Sequence, residues 1–143
     1  MSEAVEGSQY HSWDSRQSIM DEIAKRSPDS PIILVGHSLG GDTAVEVANE
    51  LNTVQHQFRK VNLLATLDSF GFNNDIIGEN VIKNLNFISD DQSFLNDGPN
   101  IARNNEVSTV INELREESHT ELDDHEEIQK NILGSINQIL KNA

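Results

Sequence analysis

Apolar positions along the chain fall into two patterns that alternate. From Ser15 to Arg26, Ile19, Met20, Ile23 and Ala24 recur at helical spacing and Ser27-Pro28 closes the segment, which predicts one short amphipathic helix. Pro31-Ile32-Ile33-Leu34-Val35 is instead a compact β-branched run bounded by Pro and Gly, the pattern of a strand buried on both faces. Helical spacing resumes after Gly41 through Ala44, Val45, Val47, Ala48 and Leu51, ending near Asn52–Gln57. A second apolar run, Val61 to Leu67, stops at Asp68; Asn84 to Ser89 reads as a third, weaker strand and Val107 to Leu114 as an ambiguous fourth. Glu126 to Leu140 is a clear final helix whose Ile128, Ile132, Leu133, Ile136, Ile139 and Leu140 line one face, so it should pack on a sheet.

Strand and helix in alternation predict an α/β fold, a mostly parallel sheet flanked by helices. Residues 1–14 read as a poorly structured lead-in anchored by Tyr10 and Trp13, and residues 15–143 as a single domain. With hydrophobic residues at 36%, the core must be built mainly from Ile, Leu, Val and Ala, with Phe58, Phe70, Phe72, Phe87 and Phe94 as its larger pieces.

Charge narrows the possible partners. Lys and Arg total 10 against 24 Asp and Glu, a formal charge of −14, and a field of that sign repels phosphate backbones and anionic lipid surfaces. Nucleic acid is therefore not an expected partner, whereas a neutral ester is unaffected. The absence of Cys removes disulfides and thiolate nucleophiles. Met1 to Gln9 lacks the basic-then-apolar order of a signal peptide, and the longest apolar run, Ile32 to Val35, is too short to cross a bilayer, so a soluble, cytoplasmic protein is expected.

The most informative stretch is Val35-Gly36-His37-Ser38-Leu39-Gly40-Gly41, a G-x-S-x-G pattern that directly follows the apolar strand and opens into the amphipathic helix. Such a strand–turn–helix bends so sharply that the serine hydroxyl projects and neighbouring side chains have no room. Gly36 and Gly40 are expected to supply that room, with Gly41 adding to it. The helix starting there aims backbone N–H groups at a developing oxyanion, and Leu39 should donate its own.

Ile33 to Gly41, with His before Ser and the Gly-Gly pair after it, resembles the nucleophile elbow of lipases and related α/β-hydrolases. The resemblance implies that Ser38 is the acylated nucleophile, with an acid and a histidine later in the chain in that order. Three histidines follow Ser38. His56 lies at the far end of the helix leaving the elbow, and His125 reads as a polar start to the last helix. His119, in Glu117-Ser118-His119-Thr120-Glu121 between the fourth strand and the final helix, occupies the family's position for the base. Asp68, at the end of the strand after the nucleophile strand, resembles the acid of pancreatic-type lipases; Asp90 and Asp91, one strand later, are the alternatives. Aspartate also forms turns readily.

Departures from the family pattern matter. A complete α/β-hydrolase has several strands before the nucleophile strand, one of whose loops gives the second oxyanion-hole N–H, and here only 37 residues precede Ser38. The resemblance thus covers Ser15 to Ala143, a truncated fold lacking the early strands. Losing one oxyanion donor typically lowers rate on the order of 10²–10³. Weak activity, a donor recruited from Tyr10–Trp13, or a homodimer or sheet-completing partner at an exposed edge are the expected consequences. The polar inserts Gly71–Asn80 and Gln92–Asn105 suit small soluble esters better than bulk triglyceride. A serine esterase with no cofactor is the first expectation; an inactive fragment acting as a binding or structural module is the second. Metal chemistry at Asp123-Asp124-His125-Glu126-Glu127 is disfavoured, because adjacent residues at a helix start point in different directions.

Overall fold

The structure, a computed structural model, describes residues 7–71, 75–90 and 96–142. In chain order it runs α1 (Arg16–Lys25), β1 (Ile33–His37), α2 (Leu39–Leu51), β2 (Leu63–Leu67), β3 (Ile76–Ile77), β4 (Lys83–Ser89), β5 (Ile101–Ala102), β6 (Thr109–Arg115) and α3 (Glu126–Lys141). Four strands form one sheet in the order β1-β2-β4-β6, and every pairing in it is parallel. Parallel neighbours need crossover connections; α2 lies in the crossover from β1 to β2, while α1, before β1, and α3, after β6, add to the cover that such a sheet requires. The expected α/β architecture is therefore present.

The pleat of β2 divides the core. Leu64 points toward the cluster built from Met20 and Ile23 of α1 and Val45, Val47, Ala48 and Leu51 of α2. Leu63, Ala65 and Leu67 point the other way, onto Leu85, Phe87 and the Ile128, Ile132 and Ile136 stripe of α3. Those three isoleucines repeat every four residues and so lie on one face. Each fully buried chain of this size stabilises the fold by roughly 1.5–3 kcal/mol.

Two expectations about burial are corrected. The run 32–35 was expected to be covered on both faces, yet β1 is a terminal strand of the sheet and Val35 is 41% exposed. An apolar run cannot reveal whether a second neighbour strand is present. Of the phenylalanines assigned to the core, Phe72 and Phe94 lie outside the described residues; among the described ones Phe87 is buried, while Phe58 and Phe70 are 55% and 38% exposed.

The two polar inserts meet each other. Ile76–Ile77 and Ile101–Ala102 pair as the short parallel strands β3 and β5. The chain from Asn96 to Asn100 is tied to the sheet by a network of asparagine side chains. Asn86 Nδ2 donates to Gly98 O (3.1 Å), Asn100 Nδ2 to Asn84 Oδ1 (2.8 Å) and Asn112 Nδ2 to Asn100 O (3.0 Å). Asn84, Asn86 and Asn112 share one sheet face with Thr66, as their register requires.

Candidate active site

The elbow forms because β1 must stop and α2 start within one residue. Ser38 sits between them with φ 60° and ψ −124°, a left-handed backbone that non-glycine residues rarely adopt. Hydrogen bonds on both sides hold it there: Ser38 N donates to Leu67 O at 3.0 Å, and Ser38 O accepts from Phe70 N at 3.1 Å. The two partners flank Asp68, so the elbow is fastened to the strand end carrying that acid.

Two of the three elbow positions are close-packed. A Cβ on Gly36 would lie 2.2 Å from Gly40 O, and one on Gly41 2.2 Å from Ser69 Oγ. At Gly40 a Cβ would meet nothing within 4 Å, so the room expected there is needed at Gly41 instead. Leu39 begins α2, where the first amides have no acceptor within the helix.

Asp68 ends β2 with φ 49° and is 1% exposed. A buried carboxylate must have its lone pairs filled. Oδ1 accepts from Ser89 N (3.0 Å) and Asn96 Nδ2 (2.6 Å), and Oδ2 lies 2.5 Å from His119 Nδ1. A carboxylate oxygen accepts, so Nδ1 is the donor in that bond. The His119 ring also packs on the ring of His37, the residue before Ser38, with centroids 4.7 Å apart. Asp68 and His119 are thus together, beside the elbow.

The other candidates lie elsewhere. Asp90 is exposed and its amide donates to Arg115 O, while Asp91 is outside the described residues. His56 sits in a short turn beyond the end of α2. His125 precedes α3, as expected, and its Nε2 lies 3.1 Å from Glu117 Oε1.

Sequence reading missed the groups that support the pair. Asn96 and Ser89 hold Asp68, and Ser89 Oγ donates to Glu117 O at 2.7 Å. Arg115 bonds both Glu117 oxygens (3.0 and 2.7 Å) and reaches Glu113 and Glu127. Those bonds raise the Arg115 guanidinium further above its ordinary value and bring the Glu117 carboxyl down to about 2. Asp97, next to Asn96, has its carboxyl raised, first by desolvation and then by the Asp42 charge. The only sequence signal for any of these was the turn-forming Asn96-Asp97-Gly98-Pro99.

A cleft of about 670 Å³ opens beside the elbow, lined by Trp13, Val35, Ser38, Leu39, Ile136 and Leu140 among others. Trp13 is tied to α2 by its carbonyl, which accepts from Thr43 Oγ1 at 2.6 Å. Among the described residues no helix is long and apolar enough to cross a membrane.

No curated protein and no solved structure matches the chain. The sequence model of the Mbeg1-like family matches residues 8–88, more than half of the chain, a span that includes Ser38 and Asp68 and ends before His119. The chain belongs to the Mbeg1-like family.

Proposed function

We propose that this chain is an α/β-hydrolase-type serine esterase that cleaves carboxylic esters, with Ser38 as nucleophile, His119 as base and Asp68 as the group that orients it. The observation that carries this reading is the part-buried Asp68–His119 pair lying against the residue that precedes a strained serine.

The chemistry follows the order of the groups. His119 Nε2 takes the Ser38 hydroxyl proton while Oγ bonds to the ester carbonyl carbon, and the carbonyl oxygen becomes an oxyanion facing the Leu39 N–H. The tetrahedral species collapses, the ester C–O bond breaks, and His119 returns its proton to the departing alcohol. Water then repeats the sequence on the acyl-serine, releasing the acid and restoring the Ser38 hydroxyl. Asp68 stays ionised, holds the productive tautomer and stabilises the imidazolium formed twice per cycle.

An uncharged substrate suits a chain with formal charge −14 and a cleft lined by Trp13, Val35 and Leu140. A fluorophosphonate probe tests the reading, because labelling needs an activated serine. We expect labelling of the wild type and none of Ser38→Ala; a wild type that stays unlabelled at high probe concentration rejects the esterase assignment and leaves a hydrolase-like binding module.

A further inference from the structure

The chain between β6 and α3 returns across the carboxyl ends of the sheet and is fastened at each of three strands. At β4, Ser89 Oγ donates to Glu117 O at 2.7 Å. At β2, Asp68 Oδ2 meets His119 Nδ1 at 2.5 Å. At β1, His37 Nε2 lies 2.7 Å from the His119 carbonyl oxygen. A carbonyl only accepts, so His37 Nε2 must carry a proton and donate it.

We propose that His37 is a positioning residue for His119, and the proposal rests on the triad reading above. The Asp68 bond fixes one ring atom of His119. The His37 bond fixes the backbone of the same residue from a different strand. The His37 ring, 4.7 Å away and tilted by 31°, also limits rotation on one side. With carbonyl and Nδ1 both held, Nε2 has one direction to face. His37 occupies the position next to the nucleophile, so the element that strains Ser38 also sets the base.

Two readouts separate this proposal from the esterase assignment. The first is the tautomer of His119, read from imidazole ¹⁵N shifts; the second is the rate of fluorophosphonate labelling at Ser38. The wild type should show His119 mainly as the Nδ1–H tautomer. His37→Phe keeps a ring and loses the donor, so we expect a tautomer mixture and labelling slowed roughly tenfold, the scale of one neutral hydrogen bond. His37→Gln keeps an N–H at comparable reach, and both readouts should return to within about threefold of the wild type.

Should His37→Phe not fold, His37→Asn, too short to reach the carbonyl, substitutes with the same expected losses. The proposal is overturned if the donor-lacking variant keeps the wild-type tautomer and a labelling rate within about twofold, or if His37→Gln fails as badly as His37→Phe while folded. It is overturned equally if wild-type His119 is not in the Nδ1–H form. An unlabelled wild type whose His119 tautomer still depends on residue 37 rejects the esterase assignment and leaves the positioning role standing.

Discussion

His119 Nδ1 lies 2.5 Å from Asp68 Oδ2, across a separation of 51 residues, and the carboxylate side chain is wholly buried while the imidazole is 13% exposed. The Asp68 carboxylate is held at three points and reaches no solvent, whereas the His119 imidazole stays partly exposed. A buried carboxylate with a partly exposed imidazole is the arrangement that the proposed triad needs.

Replacing Asp68 with Asn tests that arrangement without leaving a hole. The Asn amide would donate to Nδ1 and move the ring proton to Nε2, the wrong tautomer for accepting from Ser38. We expect Asp68→Asn to lower the labelling rate by about 10⁴. Asp68→Ala should in addition strand Ser89 N and Asn96 Nδ2 and destabilise the fold by about 1–3 kcal/mol, read by urea denaturation.

Glycine substitutions separate packing from conformational preference. Gly36→Ala pushes a methyl into the Gly40 carbonyl at 2.2 Å. Neither partner is a flexible side-chain end, so we expect a loss of about 3 kcal/mol or more. Gly134 lies exposed within α3, and a Cβ there would meet nothing within 4 Å. Gly134→Ala should therefore stabilise by about 0.5–1 kcal/mol through helix propensity. Paired denaturation curves decide both.

The elbow was legible because backbone strain and close packing both act within six adjacent residues, Gly36 to Gly41. The last helix was legible because Ile128, Ile132 and Ile136 repeat at the helical period. Asp68 and His119 were found through the order of groups that the family resemblance implied; nothing local in either segment marks the contact. Asn84, Asn86 and Asn100 gave no warning of burial, since asparagine is ordinarily a surface or turn residue and only the fold brings the three of them together. The exposure of β1 was misread because the residues of a strand encode its faces and not its neighbours.

Acid should loosen the loop that carries His119. The Arg115 guanidinium brings the Glu117 carboxyl down to about 2 from its ordinary 4.5. A carboxylate lowered on folding stabilises the protein above its unfolded value, and that contribution is lost as pH falls from about 4.5 toward 2. Arg115→Met removes the cause, and its stability difference from the wild type should shrink steadily over that range. Denaturation midpoints measured between neutral pH and the acid limit check it; a difference independent of pH would exclude the ion pair as the source.

The buried asparagine network gives the sharpest link between fold and site. Asn84 Nδ2 donates to Leu64 O at 2.7 Å, and its Oδ1 accepts from Asn100 Nδ2 at 2.8 Å. Both residues are at least nine-tenths buried. Asn84→Leu removes the acceptor from a buried amide that water cannot reach, which destabilises by about 2–4 kcal/mol and lowers the melting temperature by roughly 5–10 °C. The segment that Asn100 anchors also carries Asn96, whose Nδ2 holds Asp68 Oδ1 at 2.6 Å. Loosening it should slow labelling of Ser38 even well below the melting temperature. Adding Asn100→Leu to Asn84→Leu removes the stranded amide along with its missing acceptor, so the double variant should lose less stability than the sum of the singles by about 1 kcal/mol. Strict additivity in that cycle would mean that the two side chains do not share a buried bond.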